Sequence, residues 1–225
     1  MDTNISKKTL GFLTKLQNNN TREWFTAHKS EFKAQETEFK GFVASLNNLM
    51  NEHDEIEKSK VFRVYRDVRF SKDKTPYKSH FAASYARAGA KLRGGYYVHI
   101  KPGDSFIAAG FWEPNKDDLL RIRKELEIDA DEFRKVIGGK KFVSIWGDMV
   151  GDEVKTAPKG FNKEHENIDL IKKKQFIFVR KFTDIEVLND DFQNSVNESF
   201  KSIRPYFNLM SSILTTNLNG ESLIG

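Results

Sequence analysis

The sequence predicts an α+β fold: a largely antiparallel sheet packed against N- and C-terminal helices, in a single domain over residues 1–225. Three features predict it. Apolar residues recur with helical spacing up to Met50 and again from Thr183 onward. Between these regions the apolar pattern is mostly of period two, so helices and strands are segregated rather than alternating. Two strand-like runs are joined by only KPGD, a connection that suits an antiparallel hairpin. No internal repeat, low-complexity segment or linker interrupts the chain, and 225 residues fit one large domain.

The first helix runs from Ser6 to Gln17, with Leu10, Leu13 and Leu16 on one face and Ser6 or Thr9 as its N-cap. Asn18-Asn19-Asn20 breaks it. Asn20 or Thr21 caps a second helix that turns Trp24 and Phe25 inward. A longer helix follows to about Met50, its stripe formed by Phe32, Phe39, Phe42, Val43, Leu46, Leu49 and Met50, and that face should lie on the sheet. From Val61 the period changes. Phe62, Val64, Val68 and Phe70 alternate with Arg63, Tyr65, Asp67 and Arg69, which predicts a strand. Arg66 falls on its apolar side and calls for a carboxylate partner or a bulge. SKDKTP is a turn, and His80 to Ala86 is another strand with Phe81, Ala83 and Tyr85 on one face.

The hairpin pairs Tyr96–Lys101 with Ser105–Trp112 through a type II turn at Pro102-Gly103. In its second strand, Ala108, Ala109 and Gly110 leave room for another backbone or a ligand. Asn115 caps a helix that places Leu119, Ile122 and Leu126 inward, and Asp129 with Glu132 forms a capping box for a short helix ending at Gly138-Gly139. Phe142 to Phe161 reads as short strands and turns. Gln175–Phe182 is so apolar that it predicts a central strand. Thr183 and Glu186 form a further capping box, and the closing helix kinks or restarts at Pro205.

Composition narrows the function classes. The chain has no cysteine, which removes disulfides, thiolate metal ligands, iron–sulfur clusters and thiol nucleophiles. No signal-like or spanning apolar run is found, so no membrane association is expected and the protein is read as soluble, intracellular and cytoplasmic. Lys plus Arg number 37 against 32 Asp plus Glu, a net charge of +5. The stretch Lys60–His80, KVFRVYRDVRFSKDKTPYKSH, holds seven basic and two acidic residues, 7 − 2 = +5, leaving 30 basic against 30 acidic elsewhere. Local charge of this kind speaks about partners rather than fold.

Three parts of the sequence carry a resemblance: RDVRFSKDKTPYKSHF (Arg66–Phe81), GGYYVHIKPGDSFIAAGFWEP (Gly94–Pro114) and the PKGF…DLIKKKQF segment (Pro158–Phe176). Together they resemble the family catalogued as domain of unknown function 2461. The resemblance spans nearly the whole chain and implies one domain. It implies no particular activity, and it brings no catalytic residues with it.

The candidate chemistry therefore comes from the residues. Arg63, Arg66, Arg69, Lys72, Lys74 and Lys78 form the candidate anion-binding set, because guanidinium forks match phosphate and carboxylate oxygens. On a strand, Arg63 and Arg69 would share one face with Asp67 between them. The partner is then an anionic small molecule or a nucleic-acid backbone. Alternatively, the protein is an enzyme acting on an anionic substrate, with Asp67, Asp148 or His99 as acid/base, or the Arg–Asp network is purely structural. Asp148 is also a candidate partner for Arg66. His80, His99 and His165 are possible acids, bases or ligands; His99 should face away from Val98 and Ile100, on the side of Tyr97. No His-x-x-x-His spacing, Walker loop or Gly-x-Ser-x-Gly occurs, so neither a metal nor a cofactor is expected.

Overall fold

The computed structural model describes residues 4–224. Helix α1 (Lys7–Asn18) starts where the Ser6 hydroxyl accepts the Thr9 amide, and it buries Leu10, Leu13 and Leu16. Helix α2 (Arg22–Ala27) is capped by Thr21, which accepts the Trp24 amide; Phe25 is buried. Helix α3 (Lys29–Met50) buries Phe32, Phe39, Phe42, Val43, Leu46 and Met50. Strands β1 (Ile56–Val61), β2 (Phe81–Arg87), β3 (Gly95–Ile100) and β4 (Ser105–Phe111) follow. Then come α4 (Lys116–Ile128), α5 (Asp131–Ile137), α6 (Lys140–Trp146), α7 (Ile168–Ile171) and β5 (Phe176–Phe182). Helices α8 (Asp184–Val187), α9 (Phe192–Ser202) and α10 (Arg204–Thr215) close the described chain.

The strands form one five-stranded antiparallel sheet in the order β1-β2-β3-β4-β5, and the fold is α+β. Backbone contacts sort the chain into two compact units. Among the described residues, the first comprises 4–85, 97–107 and 181–198; the second comprises 86–96, 108–180 and 199–224.

The core of the first unit explains where many of the phenylalanines go. Phe32 and Phe39 of α3 reach Phe81 of β2, with ring centroids 6.0 and 5.3 Å apart, so the α3 stripe meets the sheet as its spacing predicts. Phe42 meets Phe192 at 5.7 Å. Such ring pairs bury large apolar areas and prefer offset or edge contacts. In the second unit, the ring of Tyr206 is fully buried among Phe111, Phe133, Phe142, Phe178 and Phe207. Its hydroxyl donates to the Phe176 carbonyl at 2.9 Å, satisfying both buried groups. Gly110, at φ +141°, lets β4 approach β5: a Cβ there would stand 2.2 Å from the Phe176 oxygen.

Several expectations are corrected. Residues 62–70 do not form a strand; the strand precedes them as β1, an edge strand whose middle four residues are exposed. An edge strand open to solvent needs no apolar face, so IEKSKV carries no alternating signal. KKFVSIW is helix α6, burying Phe142 and Trp146 four residues apart on one face. β5 lies at the sheet edge rather than the centre. Its apolar character is accounted for by cover: Phe178 packs on Phe142 and Tyr206, and the Val150 amide donates to the Ile177 carbonyl. Asp129 and Glu132 form no capping box, since α5 is preceded by Ala130 and Asp129 instead accepts the Asp131 amide. The Thr183–Glu186 box is present, and Pro205 sits in the first turn of a new helix, α10.

Candidate functional site

Residues 62–80 form a folded loop with only an isolated antiparallel bridge, Tyr65 to Tyr77. The Arg66 amide donates to the Pro76 carbonyl and the Lys78 amide to the Val64 carbonyl, which fixes the stem. Beyond the stem two aspartates take over the backbone. Asp67 accepts the Arg69 amide at 3.2 Å and Asp73 accepts the Thr75 amide at 2.9 Å. These side-chain turns satisfy amides that a ladder would otherwise use, which is why the alternating sequence does not become a strand. Tyr77 anchors the loop base, stacked on Phe25 with centroids 4.0 Å apart, and Asn20 bridges its amide and carbonyl.

The same aspartates divide the predicted cations. Arg66 pairs with Asp73 and with the Thr75 hydroxyl, so its carboxylate is this local one and not Asp148. Arg69 holds Asp67 through Nε and Nη2. That side-chain contact, then the Arg69 amide, draws the Asp67 carboxyl below its ordinary range, which makes it a poor general acid or base near neutrality. The Thr75 amide, then Arg66, brings Asp73 down to about 2. Lys74 donates to the Val68 carbonyl at 2.9 Å. Among the described residues, no carboxylate lies within ion-pair reach of Lys60, Arg63, Lys72 or Lys78. Asp148 is exposed and belongs to the second unit.

His80 enters β2 and His99 sits near the end of β3, and neighbouring strands bring their rings together with centroids 4.1 Å apart. His99 lies opposite to the buried Val98 and Ile100, beside Tyr97, as expected: Tyr97 Oη is 3.2 Å from His99 Nδ1. Phe106 of β4 stacks on the other side of His99 at 4.6 Å. Burial is the main cause that pushes His99 down to about 4, partly opposed by Asp104, with Lys101 and Lys78 adding to the push. Burial first, then His99, Lys78, Lys101 and Arg66, takes His80 down to about 3. Both imidazoles are therefore neutral at pH 7; Lys78 and Lys101 act on both, Arg66 acts on His80, and Asp104, paired with Lys101 at 3.5 Å, offsets part of this at His99. Burial also lowers the Lys78 ammonium, and Arg63 adds to the effect.

Of the candidate residues, His80 and His99 are thus brought together, with Lys78 acting on both rings and Arg66 on His80. Lys101, not singled out from the sequence, also acts on both. No short motif announces this pairing. The signal available in sequence was topological: antiparallel β2 and β3 set the start of one strand against the end of the next. Among the described residues no group of three or more His, Asp or Glu side chains could hold a metal ion, and no helix is long and apolar enough to cross a membrane.

The profile of the family described as "Conserved hypothetical protein (DUF2461)" matches residues 8–208, from the start of α1 into α10. The chain belongs to this family. The match takes in all five strands, and hence both histidines and the whole basic loop of this DUF2461 member. No curated protein matches the sequence.

Proposed function

We propose that the protein binds an anionic ligand bearing phosphate or carboxylate, held by Lys78, Lys101 and Arg66 at the His80–His99 pair. One observation carries this reading: the His80 and His99 rings lie together, centroids 4.1 Å apart, and Lys78 and Lys101 oppose protonation of both, with Arg66 opposing that of His80. A bound anion would relieve the repulsion among these cations and raise the affinity of both imidazoles for protons. Of the other predicted cations, Arg63 acts on Lys78 and so borders the same ligand, whereas Arg69 and Asp67 largely neutralise each other.

The test is a titration with inorganic phosphate and pyrophosphate, followed through the imidazole proton resonances. The His80 and His99 signals should move saturably and their apparent pKa values should rise; Lys78→Glu should abolish the response while the fold is retained. Unmoved imidazole signals, or an unchanged response in Lys78→Glu, would overturn the reading.

A second reading, an enzyme acting on an anionic substrate, is favoured by the Tyr97–His99 contact at 3.2 Å. The hydroxyl orients the imidazole, but at about 4 His99 is a weak general base near neutrality, so this reading needs a bound substrate to raise it.

A further inference from the structure

The ring contacts around the histidine pair continue across the outer face of the sheet. Phe62 meets Tyr97 at 6.0 Å, and Tyr97 meets Phe106 at 5.8 Å. Phe106 stacks on His99 with an interplanar angle of 14°, and His99 meets His80. Phe62, Tyr97 and Phe106 are half-buried, so each leaves part of its surface open. Cations rim this row of rings. Lys60 and Lys78 each hold an ammonium 5.5 Å from the Phe62 centroid, and neither has a carboxylate partner among the described residues. Arg63 lies close enough to Lys78 to depress it.

A bare phosphate would use the cations and leave the rings idle. A lipid surface would call for fully exposed apolar side chains, whereas these rings are half-buried and end in a hydroxyl and two imidazoles. Planar bases strung on a phosphate backbone match both features, because base–aromatic stacking combined with a positive margin is how single strands are held. The spacing of the row also suits more than one base, since it crosses β3 and β4 and continues to Phe62. The loop adds two exposed rings, Tyr65 and Phe70, and Phe70 is 97% exposed beside the Arg69 guanidinium.

We infer that this sheet face is a binding surface for single-stranded nucleic acid. Bases stack on Tyr97 and Phe106, and phosphates lie along Lys60, Arg63 and Lys78. The inference rests on the anion-binding reading and adds the class of ligand. Duplex nucleic acid does not fit, because its bases are already stacked and paired.

The test is fluorescence anisotropy with a labelled 12-nucleotide oligothymidine, with an abasic strand of the same length, with a duplex, and with thymidine monophosphate as competitor. The variants are Phe106→Leu, which keeps apolar volume without a ring face, and Lys78→Glu on the loop. The expected result is salt-sensitive binding of the oligothymidine, weakened about tenfold by Phe106→Leu. Lys78→Glu should also weaken it, and the abasic strand should bind the wild type no better than oligothymidine binds Phe106→Leu. Equal affinity for the abasic strand, for the duplex or for the monophosphate would overturn the inference, as would an unaffected Phe106→Leu. Tyr97→Leu, tested alongside, gives a second reading of the same ring row should Phe106→Leu lose its circular-dichroism signature. Absence of oligonucleotide binding while phosphate still moves the imidazole signals would overturn this inference alone. Absence of both responses would overturn the anion-binding reading with it.

Discussion

The imidazole of His80 lies against that of His99, centroids 4.1 Å apart, and neither ring is charged at neutral pH. His99 is buried and His80 half-buried, and with Lys78 and Lys101 acting on both they can accept protons only against burial and like charge. That relationship makes the site sensitive both to pH and to any anion that enters it.

The pH dependence has a definite sign. The folded-state pKa values of about 3 and 4 lie below the ordinary histidine value, so between pH 6.5 and about 4 the unfolded chain binds more protons than the folded one. Stability is complete above pH 6.5 and falls as pH drops through that window, by at most about 1.4 kcal/mol per pH unit for each histidine. Carboxylates contribute their own losses in acid, so the informative quantity is a difference between proteins. His99→Phe, which keeps a ring against Phe106, should lose less stability than wild type between pH 7 and 5 in urea titrations. Parallel losses in the two proteins would refute the depressed His99.

Gly110→Ala should be strongly destabilising. The added Cβ would stand 2.2 Å from the Phe176 carbonyl oxygen and 2.8 Å from the Ile177 Cα, and these are backbone atoms that cannot swing aside. The residue also adopts φ +141°, a conformation that side chains rarely tolerate. A loss of about 3 kcal/mol or more is expected by analogy with overpacking plus backbone strain, read from the denaturant midpoint. Gly11→Ala, with nothing within 4 Å of the added Cβ and a position inside α1, is the matched control and should be neutral or slightly stabilising.

Tyr206→Phe isolates one buried hydrogen bond. The ring contacts with its five phenylalanine neighbours survive, but the Phe176 carbonyl loses its hydroxyl donor inside a dry core. The cost should be about 1–3 kcal/mol, the penalty of stranding one buried polar group, again measured by chemical denaturation. A neutral substitution would mean that the carbonyl finds another donor.

The helices were legible because their signals are local. Ser6, Thr21, Asn115 and Thr183 each accept an amide within three residues, and the apolar stripe of α3 follows the 3.6-residue period. The hairpin of β3 and β4 was legible for the same reason. The errors arose where tertiary position decides. IEKSKV is a strand because β2 offers an edge, not because its side chains prefer one, and FIFVRKF is apolar because residues far along the chain cover it. In the basic stretch, the alternation of charge with Val and Phe predicts a pleat, but Asp67 and Asp73 claim the amides. Those two residues are also what the candidate site needed most: they decide which arginines are already engaged. His80 is a candidate by residue type alone, and only the pairing of β2 with β3 places it beside His99; Lys101, two residues along the chain from His99, carries no motif of its own.

The engaged arginine at the site gives the sharpest remaining test. Asp73 holds the Arg66 guanidinium and, through its other oxygen, the Thr75 amide and hydroxyl. Asp73→Asn keeps an oxygen for the Thr75 amide, and so keeps the turn, while deleting one negative charge beside the three cations. If Arg66 serves the anion, it is freed to do so, and phosphate affinity at pH 7 should rise a few-fold in calorimetric titrations. The carboxyl of Asp73 titrates at about 2, so in wild type the pair persists throughout the usable pH range and lowering the pH to 5 cannot mimic the substitution. Asp73→Asn should therefore raise phosphate affinity by a similar factor at pH 7 and at pH 5, each compared with wild type at the same pH. A fall in affinity in Asp73→Asn, with the Thr75 amide still protected from hydrogen exchange, would make Arg66 a strut of the loop and leave Lys78 and Lys101 as the cations that meet the ligand.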